Sequence, residues 1–287
     1  MAKFIPDTKE ELEALIYNEA IHLGDIDTSK ITDMSELFFK STRKDFSGIE
    51  TWDVSSVVNM AYMFWGCENF DQDISKWNTS KVETMFYMFA GCHAFNQDIS
   101  GWDVSKVKDM AYMFENCRTF NQDLSSWNVS RAKDMSYMFE SCYAFNQDIS
   151  KWNVSKVINM AGMFEYCENF NQPLNDWDVS RVKNMAGMFA ECVNFNQPLN
   201  DWDVSGVEYM EDMFGYCTSF NQDISGWDVS KVKDMRAMFS GCHSFNQDLS
   251  FWDVSRVENM YSMFEGCPIN NSNMPSREHK TIKKNKL

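Results

Sequence analysis

Long apolar runs are missing from this 287-residue sequence. No stretch approaches the roughly 18 consecutive apolar residues of a membrane-spanning helix, so we expect no membrane span. The N-terminal stretch MAKFIPDTKEELEALIYNEA also lacks the apolar core, about 7–15 residues long, of a secretory signal. This pattern predicts a cytoplasmic protein that does not leave the cell by the usual export route.

Basic residues are scarce, since 26 Lys and Arg face 42 Asp and Glu and the formal net charge is −16. This balance argues against nucleic acid or an anionic membrane surface as a partner, because both repel an acidic protein. A basic partner or a cation fits better. The composition is nevertheless globular, because 44% hydrophobic and 15% aromatic residues are too many for a solvated tail.

No linker interrupts the chain, because a 25-residue unit repeats nine times without an insertion. Each copy reads F-N-Q-x-[IL]-x-x-W-[DN]-V-S-x-V-x-x-M-x-x-M-F-x-x-C-x-x. Trp recurs every 25 residues from Trp52 to Trp252, and all nine cysteines recur in the same way from Cys67 to Cys267. Such periodicity is typical of stacked repeats, so we expect one domain with nine copies in residues 52–269.

Two hydrophobic patterns divide each copy. In one copy, Ile99, Trp102 and Val104 have the L-x-x-L-x-L spacing of leucine-rich-repeat strands. Residues 107–117 place their apolar side chains on one helical face, and Ser105 would cap that helix. The sequence therefore predicts an α/β fold, a leucine-rich-repeat-like solenoid with one short parallel strand and one short α or 3₁₀ helix per turn.

The two ends differ from the repeats. Residues 1–51 are predicted to form a helical N-terminal cap, with a helix over residues 8–23 followed by a degenerate repeat. Thr8 and Glu11 have the capping-box spacing that begins such a helix. Residues 270–287 are polar and basic, and we expect them to form a disordered tail.

The stretch FNQDISGWDVSKVKDMAYMFENC resembles the repeats of the BspA-like leucine-rich-repeat surface protein family. The likeness spans residues 24–267, because W-[DN]-V-S-x-V-x-x-M-x-x-M-F recurs in the copies with few departures, such as Thr79 and Ala132. The resemblance implies a bacterial binding or adhesion protein, often on a cell surface. It implies no catalytic residues.

Combinations of unlike reactive residues are also missing, so we expect no enzyme. A serine occupies the position of Ser105 in every copy, two residues after an Asp or Asn. No histidine recurs in register with it, which argues against a Ser–His–Asp triad. Nine cysteines at one repeat position, without a C-x-x-C pair, indicate buried free thiols rather than metal or redox chemistry. Free thiols are typical of a reducing compartment. A regular stack of like side chains should leave no cavity for a cofactor.

Two sets of variable surface residues are candidate partner-binding sites. The first set, the acidic block, consists of Asp176, Asp178, Asp201, Asp203, Asp228 and Asp253. It could bind a basic peptide, a basic protein or, with weaker support, Ca²⁺. Stacked like charges should raise the pKa values of these carboxyl groups. The alternative is a structural role, in which Asp or Asn caps the adjacent turn together with Ser.

The second set is an aromatic stripe formed by Tyr62, Trp65, Tyr87, Tyr112 and Tyr137, which is followed by Gly162 and Gly187. An exposed aromatic stripe is typical of a protein contact patch. The alternative is that these rings are partly buried between helices. We therefore expect a non-catalytic protein-interaction module, of surface or adhesion type by resemblance, with an intracellular scaffold or regulator as the alternative.

Overall fold

The computed structural model describes residues 3–276, which form a stack of 25-residue turns. Equivalent residues of successive copies lie next to one another along this stack. Phe114, for example, stacks with Phe89 and Phe139, with ring centroids 5.8 and 5.6 Å apart. One copy therefore supplies one turn, and its neighbours bury its apolar side chains, as the sequence repeat predicts.

Regular secondary structure is rare in residues 3–276. The α-helix α1 spans Lys9–Tyr17, and 3₁₀ helices span Leu23–Asp25, Ile49–Thr51 and Asn271–Asn273. Extended pairing among these residues is limited to isolated parallel bridges, which in the repeats join one residue of each turn to the next. The described residues form no β-sheet, and residues within the nine copies form no helix. The predicted α/β leucine-rich-repeat-like solenoid, with a strand and a helix per turn, is therefore wrong.

Overlapping turns replace the predicted helix. In one copy the N–H groups of Met113, Glu115 and Cys117 donate to the carbonyls three residues earlier, over 3.2, 3.1 and 2.9 Å. Tyr112 and Asn116 lie within these turns at φ of 58°. This left-handed conformation prevents an α-helix from continuing. Because the turns present the same apolar residues to the core as a helical face would, the spacing alone could not separate the two structures.

The other N–H groups of these turns connect successive copies. The Tyr112 N–H donates to the Ser136 carbonyl over 2.9 Å, and the Phe114 N–H donates to the Met138 carbonyl over 2.9 Å. Alternate N–H groups thus bond within the turn and to the next turn, so that the buried backbone groups are satisfied. This arrangement links the copies as a sheet would, but without extended strands.

The segment predicted to be a strand is also built from turns. The Trp102 N–H donates to the Ile99 carbonyl over 3.0 Å, and the Val107 N–H donates to the Val104 carbonyl over 2.9 Å. Each of these bonds closes a tight turn, which is incompatible with the pleated backbone of a strand. The apolar spacing of this segment therefore reflects core packing rather than a strand.

Ladders of identical side chains fill the core. Trp102 stacks with Trp77 at a centroid distance of 6.2 Å, and its Nε1 donates to the Ile74 carbonyl of the preceding copy over 3.1 Å. Cys117 is fully buried, and its thiol donates to the Phe89 carbonyl over 3.1 Å. The indole and thiol groups are thus buried with a hydrogen-bond partner from a neighbouring turn.

The cysteines are free, and all but one are buried. The exception is Cys267 in the last copy, which is partly exposed. Burial raises the pKa of these thiols, in the case of Cys67 to about 12, so that little reactive thiolate forms at neutral pH. The prediction of buried free thiols is confirmed for the copies that precede Cys267.

The N-terminal cap is held by one helix and one buried arginine. Thr8 accepts a hydrogen bond from an N–H of the first turn of α1 over 3.3 Å, which confirms it as the N-cap. The helix ends at Tyr17, earlier than the predicted range of residues 8–23. The backbone becomes extended at Asn18, and the buried guanidinium of Arg43 donates to the Ile16 carbonyl over 3.1 Å, which satisfies a group that the helix leaves free.

The C-terminal residues of the stack follow the last copy. The Leu249 N–H donates to the Asn273 carbonyl over 2.8 Å, so the described part of the predicted tail contacts the repeats. Residues 277–287 of that tail lie outside the described residues, and their disorder stays a prediction. Among residues 3–276, no helix has the length and apolar character needed to cross a membrane.

Candidate functional site

The acidic block lies on the surface, and five of its six carboxylates accept hydrogen bonds from the chain. Asp176, Asp178, Asp201, Asp203, Asp228 and Asp253 are all exposed. Asp178 Oδ1 accepts hydrogen bonds from the Ser180 N–H over 3.1 Å and from the Ser180 hydroxyl over 2.6 Å. Asp203 and Asp228 accept the same bond from the N–H of the serine two residues later, each over 3.0 Å. This column of aspartates therefore closes one turn per copy.

These hydrogen bonds lower the pKa values of two aspartates of the block. Bonds from the Ser180 side chain and backbone lower the pKa of Asp178, and bonds from Ser205 lower the pKa of Asp203. The neighbouring charge of Asp178 acts on Asp203 in the opposite direction, but more weakly. The expectation that crowding raises the pKa values is therefore wrong for these two residues.

The serines of the repeat do not cap a helix, which corrects the role predicted for Ser105. The Ser105 N–H donates to Asp103 Oδ1 over 2.9 Å, so the capping side chain of this turn is Asp103. Asn128 accepts the equivalent bond from Ser130 over 3.2 Å. Asp and Asn are interchangeable here because both offer the same side-chain oxygen. These bonds support the structural role, and partner binding by the acidic block stays a prediction.

Metal binding has no support from the geometry of the described residues. Within residues 3–276, no group of three or more His, Cys, Asp or Glu side chains is placed to hold a metal ion. Asp178, Asp203 and Asp228 lie one turn apart, and each accepts the N–H of its own serine. The calcium site considered from the sequence is therefore not formed by this block.

The aromatic stripe forms a continuous stack on the turns that link the copies. Tyr62, Tyr87, Tyr112 and Tyr137 occupy the same left-handed position in four successive copies. Their ring centroids lie 5.1, 4.2 and 4.7 Å apart, and the ring planes differ by 8°, 7° and 14°. Trp65 packs on the edge of Tyr62 at 6.1 Å. All five rings are partly exposed, and they lie over turns rather than between the predicted helices.

A column of glutamates runs beside the tyrosine stack. Glu115, Glu140 and Glu165 occupy one repeat position in three successive copies and are partly buried. Burial raises the pKa of all three, and burial together with the charges of its two neighbours raises the pKa of Glu140 to about 7. The sequence analysis missed this column, because glutamates at a variable position resemble solvated surface charges. Their recurrence in three successive copies, three residues after Tyr112, Tyr137 and Gly162, was the available signal.

The tyrosine stack ends at a cavity of about 360 Å³. Gly162 and Gly187 occupy the tyrosine position in the next two copies, and Tyr137 lies directly over Gly162. A Cβ atom placed on Gly162 would lie 2.2 Å from the Tyr137 ring. The rings of Tyr166 and Tyr216 also line the cavity. This cavity lies on the surface, where the side chains of these copies are not alike, and not in the regular stack of the core.

Four carboxylates and one guanidinium line this cavity. The carboxylates belong to Glu165, Glu191, Glu211 and Asp212. Arg236 Nη2 lies 3.8 Å from Asp212 Oδ2, whereas the described residues form no ion pair with the three glutamates. Glu211 Oε2 is buried and has no hydrogen-bond partner among the described residues. Burial raises the pKa of all four carboxyl groups. The cavity thus combines aromatic surface with unbalanced negative charge.

The comparisons with known proteins identify a family. The family model described as Mycoplasma protein of unknown function, DUF285, matches residues 11–125, 95–197 and 169–277. These matches together cover more than half of the chain, and the chain belongs to this family. Three matches in tandem confirm the repeat architecture, although the family that matches is not the BspA-like family suggested by the sequence. Searches of curated proteins and of solved structures give no match.

Proposed function

We propose that this chain is a non-catalytic protein-interaction module that binds its partner through the tyrosine face. The tyrosine face comprises the stacked rings Tyr62, Tyr87, Tyr112 and Tyr137, the adjoining Trp65, and the cavity at the end of the stack. One observation carries the proposal. The rings and carboxylates of this face form a surface that reaches solvent, whereas Asp178, Asp203, Asp228 and Asp253 of the acidic block close turns of their own chain. A tandem-repeat family supports an interaction module in general terms.

The physical properties of stacked tyrosines suit a contact surface. A tyrosine ring offers a large apolar area and a phenol that can donate and accept hydrogen bonds. Tyr112 is held between Tyr87 and Tyr137 at 4.2 and 4.7 Å, so its ring is ordered before a partner arrives. Preorganisation of this kind reduces the entropy lost on binding. The neighbouring glutamates make the face acidic, which favours a basic partner.

The adhesion role belongs to this proposal and rests on the resemblance to BspA-like surface proteins. The intracellular scaffold is the alternative, and the free thiols were its main support from composition. Burial weakens that support, because a buried thiol with a raised pKa resists oxidation in either compartment. We therefore favour an adhesion-type interaction module of bacterial origin over an intracellular scaffold or regulator.

Affinity capture from a bacterial surface extract, with three forms of the full chain, tests the choice of face. The first form is the natural sequence, and the second carries Tyr87→Gly and Tyr112→Gly. Glycine occupies the same repeat position with the same left-handed backbone at Gly162, so these changes preserve the turn. The third form, with Asp178→Asn and Asp203→Asn, is the matched control.

We expect the natural and control forms to retain one polypeptide that the tyrosine variant loses. Calorimetry with that purified polypeptide should then show a Kd at least about 10-fold weaker for the tyrosine variant. A polypeptide that is lost with the aspartate variant and retained by the tyrosine variant would assign binding to the acidic block. Failure of every form to bind any polypeptide would contradict the interaction module itself.

A further inference from the structure

We propose that the cavity at the end of the tyrosine stack binds an arginine side chain of the partner protein. The proposal rests on the interaction function proposed above, and it specifies the group that the partner inserts. It is argued from the shape of the cavity, from its aromatic wall and from the distribution of charge around it.

Two departures from the repeat lie at the end of the stack, where the Tyr137 ring covers Gly162 and Gly187 lines the cavity. Gly162 and Gly187 stand where the preceding copies have tyrosine, so the stacked rings stop while the core beneath continues unchanged. The core ladder shows this continuity, because Phe164 and Phe189 remain stacked at 5.7 Å below the cavity. The cavity of about 360 Å³ is therefore a feature of the surface and not a defect in the core.

The aromatic wall suits a flat cation. Tyr112 stacks on Tyr137 from the side of the preceding copies, the Tyr137 ring packs over Gly162 of the next copy, and Tyr137 is one of the residues that line the cavity. Tyr216 lines the same cavity and lies over Gly241, since a Cβ atom on that glycine would come within 2.5 Å of the Tyr216 ring. A guanidinium group stacks on tyrosine faces, and it is less strongly hydrated than an ammonium group.

The charge of the cavity calls for a cation from outside the chain. Arg236 lies in the wall and pairs loosely with Asp212, which shows that a guanidinium is compatible with this environment. Glu165, Glu191 and Glu211 have no ion-pair partner among the described residues, and Glu211 Oε2 is buried without a hydrogen bond. A buried polar atom of this kind is destabilising until a donor reaches it.

Arginine meets these requirements better than lysine. Its five N–H donors lie in one plane, so a single side chain can bond carboxylates in several directions while its plane stacks on a ring. A lysine ammonium has three donors on a compact, strongly hydrated centre, and it would lose more hydration in the cavity. The cavity therefore selects a guanidinium over an ammonium.

Nuclear magnetic resonance titration of the full chain with short peptides tests this inference. The probes are acetyl-Gly-Arg-Gly-amide and its counterparts with lysine or with citrulline, which has nearly the shape of arginine without its charge. We expect the arginine peptide to shift the ring signals of Tyr137 and Tyr216 saturably, with a Kd at least about 5-fold tighter than that of the lysine peptide. The citrulline peptide should cause no saturable shift. Equal binding of the arginine and lysine peptides, or no saturable shift with any peptide, would overturn the assignment.

Two glutamine variants locate the binding. Glu211→Gln should weaken arginine-peptide binding at least about 5-fold, because it removes the buried charge without changing the shape of the side chain. Glu115→Gln is the matched control, since Glu115 is also partly buried beside the tyrosines but does not line the cavity. Unchanged signals of Tyr62 in both variants show that the stack remains folded. Equal weakening by both variants would overturn the cavity as the binding site.

The partner identified by capture separates this inference from the function on which it rests. If that partner loses affinity with the Tyr87→Gly and Tyr112→Gly form and also with Glu211→Gln, both proposals are supported. If its affinity falls with the tyrosine variant alone, the face binds a partner and arginine insertion is wrong. If neither variant reduces its affinity, the choice of face is wrong as well.

Discussion

Two halves of the tyrosine face carry different surfaces on the same core. In the first half, one left-handed repeat position carries tyrosine in four successive copies, from Tyr62 to Tyr137. In the second half, Gly162, Gly187 and Asp212 occupy the same position. The core phenylalanine ladder is the same under both halves, because the ring centroids of successive copies lie 5.6–5.9 Å apart in both. Some repeat positions therefore keep the core residues that hold the turns together, whereas other positions vary and determine the surface.

The backbone explains why this position can vary so widely. Tyr112 and Gly162 both have φ of 58°, a left-handed conformation that costs a non-glycine residue roughly 1–2 kcal/mol. Stacking of Tyr112 on its two neighbours offsets part of that cost. Where the stack ends, glycine removes the backbone strain at Gly162 and Gly187, and Gly187 lines the cavity. The strain of this left-handed position is thus offset by ring stacking in the first half and avoided by glycine in two copies of the second half.

The largest expected effects test whether the core is equal under the two halves. Phe114→Ala below the stack and Phe189→Ala below the cavity should each lower the free energy of unfolding by about 3–5 kcal/mol, because both rings are fully buried. Urea denaturation followed by tryptophan fluorescence measures both losses. The two values should agree within about 1 kcal/mol. A much smaller loss for Phe189→Ala would show that the cavity loosens the core beneath it.

A methyl group at the boundary between the halves should have the next largest effect. Gly162→Ala would place a carbon 2.2 Å from the Tyr137 ring at a left-handed position. We expect the free energy of unfolding to fall by about 1–3 kcal/mol, with part of the strain relieved by movement of the ring. Thermal unfolding of the variant measures the loss.

The reverse change in a later copy is its control. Ala237 has φ of 53° at the same repeat position, so Ala237→Gly relieves strain while it increases the entropy of the unfolded chain. These effects oppose each other, and the net change should be within about 1 kcal/mol of zero. A loss at Ala237→Gly as large as that at Gly162→Ala would mean that the contact with Tyr137 is not the cause.

Features that follow from identical residues at a fixed period were predicted correctly from the sequence. Features that depend on the backbone conformation within each copy were not. The Trp and Cys ladders were predictable, because identical residues in stacked turns must meet their equivalents. The helix was wrongly predicted because the spacing of Met110, Met113 and Phe114 suits both a helix and consecutive turns. The deciding feature is positive φ at Tyr112, and tyrosine gives no indication of such a conformation.

The candidate site was predictable only in part. The aromatic stripe and the change to Gly162 and Gly187 are visible in the sequence, and they mark where the cavity begins. Its acidic wall is not visible, because Glu165, Glu191 and Glu211 occupy three different repeat positions. Only the stacking of the turns brings these carboxylates to one place.

A pH titration compares the glutamate column beside the stack with the acidic block. The pKa of Glu140 is raised from its ordinary value near 4.5 to about 7 by burial and by neighbouring carboxylates. Its stabilising contribution is therefore complete below about pH 4.5 and is lost as pH rises through 7. Glu140→Gln should raise the free energy of unfolding at pH 8 by on the order of 1 kcal/mol, after allowance for solvent screening.

Thermal unfolding from pH 5 to pH 8 measures this difference, and Asp178→Asn is the control. Hydrogen bonds from Ser180 lower the pKa of Asp178, so its contribution is present above the unfolded pKa and is lost only at acid pH. The advantage of Glu140→Gln over the natural sequence should grow between pH 5 and pH 8. The effect of Asp178→Asn should stay constant in that range, and a constant difference for both variants would contradict the raised pKa of Glu140.

The smallest expected effect concerns Asp178, Asp203 and Asp228 of the acidic block, whose shared repeat position carries asparagine at 78, 128 and 153. Asn128 and Asn153 accept the same serine N–H that aspartate accepts elsewhere, each over 3.2 Å. Replacing Asp178, Asp203 and Asp228 together by Asn should therefore change the free energy of unfolding at pH 7 by only about 1 kcal/mol or less in total. Urea denaturation measures the change. Arginine-peptide binding should also be unaffected, because these side chains do not line the cavity. If the triple variant kept its stability but lost the captured partner, the acidic block would be the contact surface and the tyrosine stack a structural element.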